Sequence, residues 1–133
     1  MKINIGILLF VVAVIIMGGI WFSSKKSNDS TISVNQTAGN VSVVDGKQII
    51  TINVRGGYSP RITTAKADVP TVINFKTQNA FDCSSAVTIP SLGYKNNLPA
   101  TGETLFEIPV QKAGSAVSGT CSMGMYNFTI NFN

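Results

Sequence analysis

Beyond residue 40 the chain alternates between apolar and polar residues, most regularly at positions 126–133. There Tyr126, Phe128, Ile130 and Phe132 interleave with Asn127, Thr129, Asn131 and Asn133. A period of two sets the first group on one face of a strand, buried, and the second on the other, wet. The same period runs through Gln48–Val54, where Ile50, Ile52 and Val54 share a face, and through Thr71–Lys76, where Ile73 and Phe75 do. Val41–Val44 leads into Asp45-Gly46, a strong hairpin signal, so the first two strands are expected to fold back on each other. Further strands are predicted at Arg61–Lys66, Ala86–Ile89, Leu105–Val110 and Ala116–Cys121. Pro109 has no N–H to give to a ladder, which assigns its strand to a sheet edge. The segment Arg55–Pro60 breaks the pattern, and 90–104 reads as loop. No stretch after residue 22 shows a 3.6-residue apolar period. Short strands at this spacing predict an all-β fold over 41–133, a β-sandwich or Greek-key barrel.

The N-terminus obeys a different rule. From Ile5 to Phe22 there is no charged residue. As a helix this run spans about 27 Å, close to the hydrocarbon core of a bilayer. Trp21 falls where an interfacial aromatic would sit. A cleaved signal peptide is the competing reading, but its apolar region is shorter and no small-x-small cleavage site precedes Ser23. We therefore expect one transmembrane anchor over 1–22. The polar, aperiodic stretch 23–40 reads as a flexible linker to the domain at 41–133. Lys25 and Lys26 follow the span and Lys2 precedes it. By the positive-inside rule this one-charge margin expects a single-pass cell-membrane protein with its domain on the cytoplasmic side.

The net charge of +4 and pI near 9.3 change the picture little. Three of the ten Lys/Arg flank the apolar run, and from residue 27 onward seven stand against six Asp/Glu. With no basic stripe, nucleic acid is not an expected partner.

Sulfur is where the chain departs from an ordinary β-domain. Cys121-Ser122-Met123-Gly124-Met125 gathers one thiol and two thioethers just ahead of the best strand. Cys83 is the other cysteine, and the chain has no histidine. Thiolate with thioether selects Cu(I), whereas Zn²⁺ sites add imidazole or carboxylate. The alternative is a buried methionine pair and a structural disulfide. Tyr58, after Gly56-Gly57, reads as an aromatic plug in a tight turn before it reads as support for the sulfur loop. Asp82, beside Cys83, is left out of the candidate site as an ordinary exposed acid.

The strings Gly57-Tyr58-Ser59-Pro60, Val69-Pro70 before an alternating strand, Cys83, and Thr120-Cys121-Ser122-Met123-Gly124-Met125-Tyr126 carry a resemblance. Over roughly 48–133 the chain resembles the cupredoxin-like domains of bacterial copper handling. In particular it is similar to the membrane-anchored Cu(I) chaperones of copper-resistant Gram-positive bacteria, the CupA type, and to the related domain on some copper-exporting ATPases. The resemblance implies a Cu(I) site built from Cys83, Cys121, Met123 and Met125. Cys83 then stands at the end of a strand, where a blue-copper protein has its upstream histidine. Without histidine the two-His, one-Cys electron-transfer centre cannot form. The implied function is a monomeric, membrane-tethered chaperone that sequesters Cu(I) and passes it to the metal-binding domain of a copper-exporting P-type ATPase.

Enzyme chemistry finds little footing. There is no Cys-x-x-Cys, no Ser-His pair, no recognisable carboxylate pair and no phosphate-cradling glycine loop. The readings left beside the chaperone are a disulfide-stapled extracytoplasmic sandwich in adhesion or a surface complex, and outward-facing copper delivery to an oxidase.

Overall fold

The computed structural model describes residues 39–133. The expected anchor at 1–22 and residues 23–38 of the expected linker lie outside the described residues. Among those that are described, no helix is long and apolar enough to cross a membrane.

Among the described residues ten strands build two sheets: β1 (Val41–Val44), β2 (Lys47–Val54), β3 (Tyr58–Ser59), β4 (Ile62–Ala65), β5 (Thr71–Thr77), β6 (Ala86–Ile89), β7 (Tyr94–Asn97), β8 (Gly102–Ile108), β9 (Ala116–Cys121) and β10 (Asn127–Phe132). One sheet runs β1-β2-β5-β8, with β3 added against the end of β2. The other runs β4-β10-β9-β6-β7. The alternation explains the layering. Ile50, Ile52, Val54, Ile73 and Phe75 of the first sheet and Phe128, Ile130 and Phe132 of the second are all buried in the shared core. Because strands present alternate residues to opposite faces, one register serves every one of them. The hairpin at Asp45-Gly46 forms as expected, with positive φ at both residues (50° and 76°).

Three features depart from the sequence expectation or go beyond it. The stretch expected to be loop, 90–104, contains a 3₁₀ turn at Pro90–Leu92, strand β7 and the first residues of β8. In β7, Tyr-Lys-Asn-Asn, only the tyrosine turns inward, so there is no apolar alternation to read. Tyr94 stacks on Phe106 of β8 at 3.8 Å between ring centroids and faces Phe75 of β5 at 6.3 Å, closing the side of the sandwich. Second, Arg55–Pro60 does not simply end the pairing, because β3 returns to pair with Asn53 and Val54. Third, two pairings are parallel, β2 with β5 and β4 with β10. The strand expected at the edge, β8, does lie there and stops at Ile108, just before Pro109.

Buried Gln48 ties one end of the sandwich together. Its Nε2 donates to the Lys66 carbonyl and to Thr71 Oγ1, both at 2.7 Å, and its Oε1 accepts from Lys66 N–H at 3.1 Å. A fully satisfied buried amide fixes register where an unsatisfied one would cost stability. The opposite end carries the connections 55–61, 78–85 and 122–126, and with them the sulfur.

Candidate metal centre

Cys121 closes β9 and points inward at 1% exposure, while Met123 and Met125 of the following turn are 71% and 64% exposed. The turn is short and pinned. Gly124 N–H donates to the Cys121 carbonyl at 2.9 Å, Cys121 N–H to the Tyr126 carbonyl at 3.0 Å, and Ser122 N–H to the Ala86 carbonyl of β6 at 2.9 Å. Gly124 adopts φ +70°, a conformation glycine takes without steric cost. This glycine lets the chain reverse between two methionines and leaves both thioethers in solvent.

Cys83 arrives from the other side. It stands not at the end of a strand but at the start of a 3₁₀ turn, Cys83–Ser85, immediately before β6. The structure brings its Sγ to 3.0 Å from that of Cys121. Both cysteines are free thiols, in hydrogen-bond contact and well beyond the ~2.05 Å of a disulfide. The structure thus joins the two cysteines directly and sets the two methionines on the turn that leaves Cys121. With metal–sulfur bonds of about 2.3 Å, two sulfurs on one ion stand roughly 3.8–4.6 Å apart, so a shared ion would require this pair to part by roughly 0.8–1.6 Å. Half-buried Cys83, less enclosed than Cys121, is the side that can give.

Two residues outside the expected set hold Cys83 in place. Asp82 caps its turn: one carboxylate oxygen accepts from Ser84 N–H at 2.8 Å, the other from Gly56 N–H at 2.9 Å. The Ser84 hydroxyl and N–H, then the Gly56 N–H, hold this carboxyl below its usual range. Of these, the N–H groups make formed hydrogen bonds, whereas the buried Ser84 Oγ falls short of one. Tyr58 is buried, and its hydroxyl donates to the Ser84 carbonyl at 3.0 Å. Its ring meets the Phe128 ring edge-on at 5.1 Å. Burial, then the nearby Cys121, Cys83 and Asp82 charges, push the phenol upward, so it remains a donor. Tyr58 is therefore more than the plug of a turn. The Gly-Gly-Tyr order was legible in the sequence, but its contact with a segment 26 residues away was not.

Tyr58→Phe removes that one hydrogen bond and keeps the ring. The expected cost is about 1 kcal/mol of stability and a loss of Cu(I) affinity approaching tenfold, the lower edge of what outer hydrogen-bond partners of metal ligands contribute. Unchanged affinity, measured by chelator competition alongside a melting curve, would show that the hydroxyl only packs.

The two thiols are electrostatically unequal. Burial pushes the Cys121 thiol up, but the hydrogen bond with Cys83 and the backbone groups of Tyr126, Met123 and Met125 outweigh it, for a net downward shift. Cys83 is pushed up to about 11 by its hydrogen bond to Cys121, then by burial and the Cys121 and Asp82 charges. A proton thus leaves Cys121 first and stays on Cys83. Since the thiolate is the nucleophile, alkylation of Cys83 by iodoacetamide is expected to rise with pH through about 11 in the native protein. In Cys121→Ser the rise is expected to move down toward the ordinary thiol value of 9.0. Identical pH profiles, read by peptide mass spectrometry, would remove the coupling.

Among the described residues, no group of three or more His, Cys, Asp or Glu side chains is placed to hold a metal ion. The donors gathered at this end are sulfur. The sequence model of the cupredoxin-like domain matches residues 11–132. The chain belongs to this family. No curated protein sequence matches it. Among solved structures, this cupredoxin-like domain is similar to a copper binding protein determined in solution in the apo form. That match has 28% identity and a TM-score of 0.62, over 70% of this chain and 94% of the other. It also shares its fold with the metal-binding domain of the Streptococcus pneumoniae D39 Cu(I)-exporting P-type ATPase CopA, solved with Cu(I). Here identity is 20% and TM-score 0.62, over 70% of this chain and 92% of the other.

Proposed function

We propose that this cupredoxin-like chain is a membrane-tethered Cu(I) carrier that sequesters copper and hands it to the metal-binding domain of a copper-exporting P-type ATPase. The observation that carries the reading is the Cys83–Cys121 pair at 3.0 Å, with two exposed thioethers on the adjoining turn. Two thiolates supply the grip. Thioethers are neutral, soft and proton-free, so Met123 and Met125 can each yield to an incoming thiolate at any pH. A copper binding protein and a Cu(I)-loaded ATPase domain among the similar structures support copper as the cargo. The uncharged run Ile5–Phe22 supports tethering, and the lysine margin supports a cytoplasmic face.

Titrating the reduced full-length protein in detergent with Cu(I), against a strong chelator, tests the carrier directly. Tight Cu(I) binding with far weaker Zn²⁺ binding is expected, and membrane fractionation that is lost on deleting residues 1–26. Met123→Ala and Met125→Ala are expected to slow transfer to an ATPase metal-binding domain several-fold, with less effect on affinity than cysteine changes. Copper retained at equilibrium by the loaded protein, against an acceptor of comparable affinity, would leave storage instead of delivery. The 3.0 Å sulfur separation also favours a second reading, an oxidised staple in an extracytoplasmic sandwich. No Cu(I) binding, together with a large loss of stability on reduction, would select it.

A further inference from the structure

Beside the sulfur lies a cleft of about 420 Å³ that the carrier reading leaves unused. It opens between the turn after β2 and the start of β10, lined by Arg55, Gly57, Tyr58, Arg61, Met125 and Tyr126 among others. Two arginines are among its lining residues and no acidic residue is. Neither arginine has an ion-pair partner among the described residues, whose three ion pairs are Lys47–Glu107, Lys76–Glu103 and Lys112–Asp68. Arg61 Nη2 donates to Asn127 Oδ1 at 3.1 Å, a neutral acceptor that leaves its charge uncompensated. Asp82, whose carboxylate reaches the Gly56 N–H next to Arg55, is occupied by that group and by the Ser84 N–H. The same end exposes apolar residues that a folded domain ordinarily covers: Phe81 at 83% and Ile62 at 69%, besides the two methionines. Apolar anchors with arginine alongside are the composition of a protein-binding surface.

We propose that this cleft docks a carboxylate-bearing segment of the protein that receives the copper, a segment bordering the acceptor's own thiols. The inference rests on the carrier reading and adds the partner's chemistry to it. Planar guanidinium forks match carboxylates two bonds at a time, which fixes orientation as well as proximity. Because Met125 lines the cleft, a partner seated there meets the thioether on the side from which its thiolate must come. The exchange itself conserves charge and electrons. Two incoming thiols give up their protons as they replace the two outgoing thiolates on Cu(I), the outgoing pair takes up two protons, and copper stays in one oxidation state. Opposite charges across the contact act mainly on the encounter rate, so the effect belongs at low ionic strength.

The probes are short synthetic peptides with a two-cysteine core flanked by glutamates, or by lysines, and fluorescent copies with serine for cysteine. In the metal-free arm, the full-length protein in non-ionic detergent is expected to bind the glutamate copy at least about tenfold more tightly than the lysine copy at low salt. Arg55→Ser/Arg61→Ser should abolish most of that preference, and Lys66→Ser/Lys95→Ser, which removes equal charge elsewhere, should keep it. In the copper arm, the glutamate peptide is expected to accept Cu(I) about tenfold faster, again only with both arginines present, while chelator competition shows unchanged Cu(I) affinity. Equal binding of the two serine copies, or a preference that survives loss of both arginines, would overturn the docking site whether or not copper binds. Failure of Cu(I) binding alone would overturn the carrier reading and leave the metal-free result to decide the cleft.

Discussion

Replacing Cys83 by serine is expected to lower Cu(I) affinity by more than about 100-fold, beyond the range that loss of an outer hydrogen-bond partner produces. Serine offers a hard oxygen in place of a soft thiolate, at one of the two anionic positions of the proposed site. The sandwich should persist. The core is carried by residues such as Ile50, Ile52, Ile73, Phe75, Phe128 and Ile130, and Cys83 only packs against its edge. Cys121→Ser is expected to lose affinity equally, with a larger stability cost because its side chain is buried. Chelator competition and circular dichroism on each variant check both parts. Wild-type affinity in Cys83→Ser would place the metal on the turn 121–125 alone.

Gly119→Ala is expected to destabilise the domain by about 3 kcal/mol, the upper end of what overpacking costs. Gly119 of β9 is paired directly with Phe128 of β10, and a Cβ there would lie 2.3 Å from both Cε1 and Cζ of that ring. The ring has nowhere to retreat, since Tyr58 and Phe75 stand against it at 5.1 and 5.8 Å. A displaced Phe128 pushes on Tyr58, and Tyr58 holds the turn that carries Cys83. The substitution should therefore lower Cu(I) affinity as well as the denaturant midpoint. In a double-mutant cycle, Phe128→Leu is expected to cost less in the alanine background than alone, because it vacates the contested volume. Additive effects would mean that the two sites do not share that space.

How much of this the sequence discloses depends on whether a feature is local. Strands β1, β6 and β9 begin and end where the alternation and the turn residues place them, because a period of two is written into consecutive positions. β7 was missed because a strand with one inward residue has no period. The parallel pairings β2–β5 and β4–β10 were not legible either, since nothing within a strand says which distant strand runs alongside it. At the site, the clustering of Cys121, Met123 and Met125 is a matter of spacing and was visible at once. Cys83 enters as the other cysteine of the chain and through the resemblance, whereas its 3.0 Å approach to Cys121 is a finding of the fold. In the sequence, Tyr58 stands first as a turn plug and Asp82 as an ordinary exposed acid. A carboxylate that caps a turn and a phenol that reaches a distant carbonyl look, in one dimension, like any other polar residues.

The two cysteines stand 38 positions apart and touch only because β9 and the turn before β6 are packed side by side. An unfolded chain offers no such pair at fixed separation, so on the proposed carrier reading the native state would bind Cu(I) far more tightly than the denatured ensemble. By mass action the cargo then becomes a term in conformational stability: about 4 kcal/mol when free Cu(I) exceeds the dissociation constant a thousandfold. A molecule that has given up its ion loses that term and opens correspondingly more often. Where proteolysis acts on the open form, resistance to digestion should track occupancy, and turnover would remove spent carriers ahead of loaded ones.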